Sequence, residues 1–131
     1  MNEGSRVVID TNVIVSAIYS PKGDAYDFMR DVLDGKYEVI LTESIFNEYI
    51  RVLHKDKFGF DEETIDGILT RLQINALWVE VDEEDYPETM TDKTDVPFYV
   101  AARSTGAKLI TGNIKHYPVE EWRTMLWEMR S

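Results

Sequence analysis

The chain alternates short, continuous apolar runs with longer stretches in which apolar residues recur at helical spacing. Arg6-Val7-Val8-Ile9-Asp10 is an apolar run of strand length that ends on an acid, which predicts a buried strand. Thr11 and Asn12 open a helical stretch, Val13 to Tyr19, and Ser20-Pro21-Lys22-Gly23-Asp24 breaks it. Ala25 to Leu33 carries helical spacing through Phe28, Met29, Val32 and Leu33 and stops at Asp34-Gly35. Glu38 to Leu41 predicts a second strand, and Thr42 stands where it can cap a helix from Glu43 to about Lys55. Phe46, Tyr49, Ile50 and Leu53 form the centre of that helix's apolar stripe, with Ile45 and Val52 at its edge and Glu48 just beyond them. Asp61 to Gln73 reads as a helix with Ile65, Ile68, Leu69 and Leu72 inward, and Leu77 to Val81 as a third strand. Pro97 suits the first turn of a helix from Asp95 to Ser104, ended by Gly106. Lys108 to Thr111 predicts a fourth strand. Glu120 to Met129 reads either as a last helix or as a turn leading to a strand through Met125-Leu126-Trp127.

Alternating strands and helices predict an α/β fold: a central, mainly parallel sheet of four to five strands between helical layers, α/β/α. A length of 131 residues suits one domain over 1–131 with a sizeable core. In such sheets ligands gather beyond the carboxyl ends of the strands. Asp10 ends the first strand, Thr111 to Asn113 close and follow the fourth, and Asp95 opens the preceding helix, so polar residues are expected on one rim.

Composition narrows the classes. No apolar run approaches the roughly 18–20 residues of a membrane span, and Met1 to Arg6 is polar, unlike a signal peptide. The absence of cysteine excludes disulfides, thiolate metal sites and cysteine nucleophiles, and fits a cytoplasmic location. The net charge of −11 speaks against a nucleic-acid ligand, because phosphate binding usually draws on a basic surface. It is equally the signature of acids gathered at a metal, of a solvated face, or of a surface for a basic protein.

Hard cations such as Mg²⁺ prefer oxygen ligands and keep several waters, so a site for one or two ions needs a few carboxylates from different elements. Asp10, Glu48 and Asp95 meet that requirement on the expected rim, and the Asn113 amide can orient a water or ligand there. Each residue alone has a plainer reading. Asp10 suits an N-cap as well as a metal site; a lone helical Glu48 is usually solvated. Asp95 suits a helix N-terminus, and Asn113 suits a left-handed turn. Only their joint occurrence points to chemistry.

The string Val7 to Ala17, containing Asp10-Thr11-Asn12, resembles the start of PIN domains, and the resemblance continues through Pro21-Lys22-Gly23. Thr42 to Tyr49 resembles the family's second motif, Asp92 to Phe98 its third, and Ala107 to Pro118 its last. The subgroup most resembled is the toxin components of prokaryotic toxin–antitoxin pairs. The resemblance implies an α/β nuclease using Mg²⁺ or Mn²⁺, with RNA as substrate, an antitoxin protein as partner and a homodimeric state. It implies Asp10, Glu48 and Asp95 as catalytic metal ligands, with Thr11, Asn12 and Thr111 in support. Asn113 stands where the family has Asp or Asn, so a fourth charged ligand is missing, and Asp92 is an auxiliary ligand or a surface acid. Lys22, Lys115 and His116 are expected phosphate contacts; Arg51, His54, Lys55 and Lys57 form a second cationic group that also suits a helix C-terminus. The acidic tracts Asp61–Glu63 and Asp82–Asp85 are expected away from the active rim.

Three rivals remain at this stage. An Asp-nucleophile phosphatase also places an Asp after a hydrophobic strand, but commonly wants a second Asp where Asn12 stands. A catalytically degenerate binding module is permitted by the missing fourth acid. A DNA nuclease is permitted because chemistry at a phosphodiester does not itself distinguish the sugars.

Overall fold

The computed structural model describes residues 6–112 and the strand at 126–128. Its elements are β1 (Arg6–Ile9), α1 (Thr11–Tyr19), α2 (Asp24–Leu33), β2 (Glu38–Leu41), α3 (Glu43–Leu53), α4 (Glu62–Asn75), β3 (Leu77–Trp78), α5 (Val96–Thr105), β4 (Lys108–Thr111) and β5 (Leu126–Glu128), with a short 3-10 turn at Lys93–Asp95 before α5. The strands form one sheet in the order β3-β2-β1-β4-β5, and every pairing is parallel. Helices flank it, α5 against β1, β2 and β4 and α4 against β2. This is the α/β/α arrangement the alternating pattern predicts.

Central position explains the apolar run of β1. Val7, Val8 and Ile9 are 0% exposed, with β2 on one side and β4 on the other. Fully burying each such side chain contributes about 1.5–3 kcal/mol. The strand order reverses at β1: the chain steps outward to β2 and β3, then returns to place β4 on the other flank. The crevice at the carboxyl ends of β1 and β4 is therefore the switch point where parallel sheets bind ligands.

Some elements differ from expectation. The third strand stops at Trp78, with a last ladder bond from Val79 N to Leu41 O of 2.9 Å. Its partner β2 ends at Leu41, where Thr42 turns the chain into α3, so no ladder remains for Glu80 and Val81. The buried face of α3 is centred on Ile45, Tyr49 and Leu53, whereas Ile50 is 38% exposed. The apolar stripe is thus rotated relative to the expectation, toward the side that carries Glu48. The tail's strand alternative holds at Leu126–Glu128, which pairs with β4. Asn113, Lys115 and His116 lie outside the described residues. Among the described residues, no helix is long and apolar enough to cross a membrane.

Candidate active site

All five buried polar or charged residues among those described lie at or just beyond strand ends or at the start of α5: Asp10, Thr11, Thr42, Asp95 and Thr111. Asp10 follows β1 and Thr111 ends β4, its neighbour. Helix α5 passes through Gly106, at φ 72°, almost directly into β4. Packed back along the sheet, its ten residues span about 15 Å, which returns Asp95, at its start, to the level of Thr111. The rim expected from the pattern of strands and helices therefore exists.

Asp10 occupies the N-cap position of α1, yet its side chain makes no capping bond. Its Oδ2 instead accepts from the buried Thr111 Oγ1 at 2.9 Å, while its backbone amide donates to Ile110 O at 2.8 Å. The helix-cap reading of this residue fails on that geometry. Asp95 repeats the pattern: it stands at the N-cap of α5 with no side-chain cap bond and is 7% exposed. Asp92, expected as an auxiliary ligand, is exposed. Its Oδ1 accepts from Thr94 N at 3.0 Å and Thr94 Oγ1 at 2.6 Å, and this closes the turn that presents Asp95.

Of the residues expected in support, Thr111 bonds Asp10, and Thr11 and Asn12 open α1 beside it. Asn12 Oδ1 accepts from Gly112 N at 2.8 Å and ties the start of α1 to the exit of β4. Thr11 Oγ1 is buried without a hydrogen-bond partner, which is costly unless a ligand or water engages it. Glu48 is half-buried, 18% exposed at the side chain, and is gripped by the Arg51 guanidinium from one turn on. That contact holds Arg51 more firmly protonated than usual. Ser44, Asn47, Glu48 and Arg51 form one wall of an open groove whose other wall is Lys93, Thr94 and Pro97.

Lys22 is exposed in the α1–α2 break, and among the described contacts none joins it to Asp10, Glu48 or Asp95. The tract at 82–85 does not lie away from the rim. Ser44 Oγ donates to Glu83 Oε1 at 2.9 Å, and Glu83 and Glu84 line a second groove with Lys93 and Pro97. The cause is topological: β3 is parallel to β2, so the chain leaving it emerges on the same rim. Asp61–Glu63, by contrast, is exposed at the start of α4.

Two contributors escaped the sequence reading. Tyr49, read only as core, is fully buried, and its hydroxyl donates to Ile9 O at 2.5 Å, fixing the strand end that carries Asp10. Burial, and then the charge of Asp10, raises its pKa far above the ordinary phenol range. A buried tyrosine usually finds a polar partner, and that was the available signal. Lys93, in the third motif, reaches Tyr86 and stands 4.5 Å from that ring's centroid. With Arg51 it puts a cation on each wall of the groove.

Among the described residues, no three Asp, Glu or His side chains are grouped as a metal site. The oxygen-only donors at the rim are nevertheless of the kind hard cations prefer, and Mg²⁺ is commonly held by one or two carboxylates and its own waters. Asp10 and Asp95, buried and withheld from helix capping, are donors of that kind at the rim. A separate cavity of about 430 Å³ between α1, α2 and α4 is mainly apolar; its single carboxylate, Asp34, pairs with Arg71 at 3.7 Å.

None of the curated proteins compared with the chain matches it. The family model for the PIN domain matches residues 6–115, which takes in β1, β4 and every described element of the rim. The chain therefore belongs to the PIN domain family, whose fold is of the nuclease type.

Proposed function

We propose that the chain is a divalent-metal-dependent endoribonuclease that hydrolyses RNA phosphodiester bonds as the toxin of a toxin–antitoxin pair. The observation that carries this reading is the pair of buried carboxylates, Asp10 and Asp95, each at a helix start and neither spent on capping. In this reading they hold Mg²⁺ or Mn²⁺. Such an ion supplies positive charge for the phosphodiester and acidifies water. Thr111 holds Asp10 in one orientation through its hydroxyl, and Asn12 and Tyr49 keep the two strand ends in register with the rim. Glu48, across the groove, orients the attacking water, while Arg51 and Lys93 receive the phosphate. Arg51 then exchanges its bond to Glu48 for one to the substrate. RNA, the antitoxin, the homodimer and a cytoplasmic location rest on family membership and resemblance. The acidic surface suits a basic antitoxin.

The test is cleavage of end-labelled RNA and DNA with Mg²⁺ or Mn²⁺, wild type against Asp10→Asn. RNA cleavage by the wild type alone is expected. Cleavage that survives in the variant assigns the activity to another site, and preference for DNA removes the ribonuclease reading. The grip of Arg51 on Glu48 favours one second reading, a binding module in which Glu48 is structural. A metal-bound wild type that cuts no nucleic acid is its expected signature.

A further inference from the structure

Between β3 and the turn before α5 the chain runs from 79 to 92 without helix or strand. Its ends are pinned. Val79 N donates to Leu41 O at 2.9 Å, Val81 packs half-buried against the core, and Met90 is buried. The middle, residues 82–86, is held differently. The amide bonds described there close on the segment itself, Glu84 N to Asp82 Oδ1 at 3.0 Å and Tyr86 N to Glu84 O at 3.2 Å. Its polar ties to the rest of the protein are made by side chains. Ser44 Oγ on α3 donates to Glu83 Oε1 at 2.9 Å, the Arg103 guanidinium on α5 pairs with Asp85 Oδ2 at 2.9 Å, and Lys93 donates to the Tyr86 hydroxyl.

Two of these ties end on the groove of the candidate active site, where Ser44 and Lys93 stand on opposite walls. Lys93 and Pro97 also line the adjoining groove, together with Glu83, Glu84 and Tyr86. At that end two carboxylates and a phenol therefore share the space around one ammonium. A phosphodiester arriving there meets repulsion from Glu83 and Glu84 and finds Lys93 engaged by Tyr86. Arg51, the cation of the other wall, is engaged by Glu48. Both groove cations are thus occupied by the protein's own side chains. A segment fastened by a few partly exposed contacts, with little backbone bonding to its surroundings, belongs to the low-stability end from which lids are drawn.

We propose that residues 82–86 form an autoinhibitory strap that closes the Lys93 end of the groove in the free protein and lifts when a substrate phosphate takes Lys93 from Tyr86. The inference rests on the nuclease reading above for its ligand. The exchange is favourable for Lys93, because a phosphate offers a charged acceptor in place of a neutral hydroxyl, and charge-assisted bonds are the stronger. Glu83 and Glu84 oppose it. They set a threshold that a ligand making few phosphate contacts does not pass. Ser44 fastens the strap to α3, the helix that carries Glu48, so closing the strap and presenting Glu48 involve the same wall.

The experiment is anisotropy of a short end-labelled single-stranded RNA with Mg²⁺, in the Asp10→Asn background, at low and high salt. Glu83→Gln/Glu84→Gln is expected to bind about 3- to 25-fold more tightly, the worth of two exposed ionic contacts, with the gain shrinking at high salt. Tyr86→Phe keeps the ring and the net charge, and is expected to bind about 2- to 10-fold more tightly because Lys93 loses a competing acceptor. The control is Glu80→Gln/Glu88→Gln, which removes the same charge from the same segment outside the Lys93 groove and should leave binding unchanged. Both gains should disappear in a Lys93→Ala background. A control pair that gains as much as Glu83→Gln/Glu84→Gln makes the effect one of net charge and overturns the strap. So do gains that persist without Lys93, a Tyr86→Phe variant that binds as its parent does, and a parent and variants that all bind no RNA. Wild-type cleavage separates the two proposals. RNA cut by the wild type, with binding unmoved by the strap variants, rejects the strap alone; the expected binding pattern with no cleavage rejects the nuclease alone.

Discussion

The starts of α1 and α4 pose the same local problem and solve it differently. Each helix is preceded by an aspartate at the N-cap with extended backbone, Asp10 at φ −65° and Asp61 at φ −76°. Asp61 does what such a residue ordinarily does. It is exposed, and its carboxylate accepts from Thr64 N at 2.8 Å and Thr64 Oγ1 at 3.0 Å. Asp10 is buried, leaves the helix amides alone and takes its bond from Thr111 on another strand. Asp95 and Asp92 repeat the contrast within four residues: the exposed Asp92 caps a turn and the buried Asp95 caps nothing. A buried carboxylate withheld from the nearest amides forgoes local stabilisation, and such exceptions mark function.

The largest expected effect on this contrast is in activity. Asp10→Asn should lower nucleic-acid cleavage by more than the roughly 10–100-fold that changes around a metal ligand cost, with little loss of stability, because the amide keeps an acceptor for Thr111 and removes a buried charge. Asp61→Asn should leave cleavage unchanged. Equal losses in the two variants would abolish the distinction. Thr111→Val comes next: it removes the hydroxyl that orients Asp10, and cleavage should fall by about 10–100-fold, measured as kcat/KM beside a Tm that shows the fold retained. Tyr49→Phe should leave the Ile9 carbonyl buried without its partner and cost about 1–3 kcal/mol in urea unfolding; a variant as stable as wild type would remove Tyr49 from the support of the rim.

The smallest effects are in the pH dependence of stability. The Thr64 amide, chiefly, holds the Asp61 carboxyl below its ordinary 3.8. The stability it contributes is therefore present above that value and lost as pH falls through the depressed pKa. The Tm difference between wild type and Asp61→Ala should be small at neutral pH and vanish in acid. His54 runs the other way. The Glu62 carboxylate, then the Ile50 carbonyl, raise it above 6.5, so its contribution is present below that pH and lost as pH rises through the raised value. His54→Ala should destabilise at pH 5.5 and less at each step above.

The contrast also explains what was legible in the sequence. Strand and helix identity came from apolar periodicity, and β1, β2, β4 and the helices fell within a residue or two of their expected bounds. The strand ends then located the rim, because parallel topology puts them all on one side. Which aspartate caps was not legible: Asp10 and Asp61 precede their helices alike, and only the depth of β1 in the sheet separates them. The face of α3 was misplaced because Ile50 is as apolar as Ile45, and packing selects the latter. The tract after β3 was misplaced because its charge suggested solvent, whereas the parallel direction of β3 delivers it to the rim. Tyr49 was read as core because its hydroxyl partner, Ile9 O, is forty residues away.

The central claim is that Asp10 is a metal ligand and Asp61, in the same local position, is not. The direct measurement is the thermal unfolding of wild type, Asp10→Asn and Asp61→Asn at neutral pH, with and without millimolar Mn²⁺ or Mg²⁺. An ion bound only by the folded state at 100 times its Kd adds about 2.7 kcal/mol, so Tm should rise with metal for wild type and Asp61→Asn and stay flat for Asp10→Asn. A wild type indifferent to metal, or an Asp10→Asn variant that gains as much as wild type, would contradict the account.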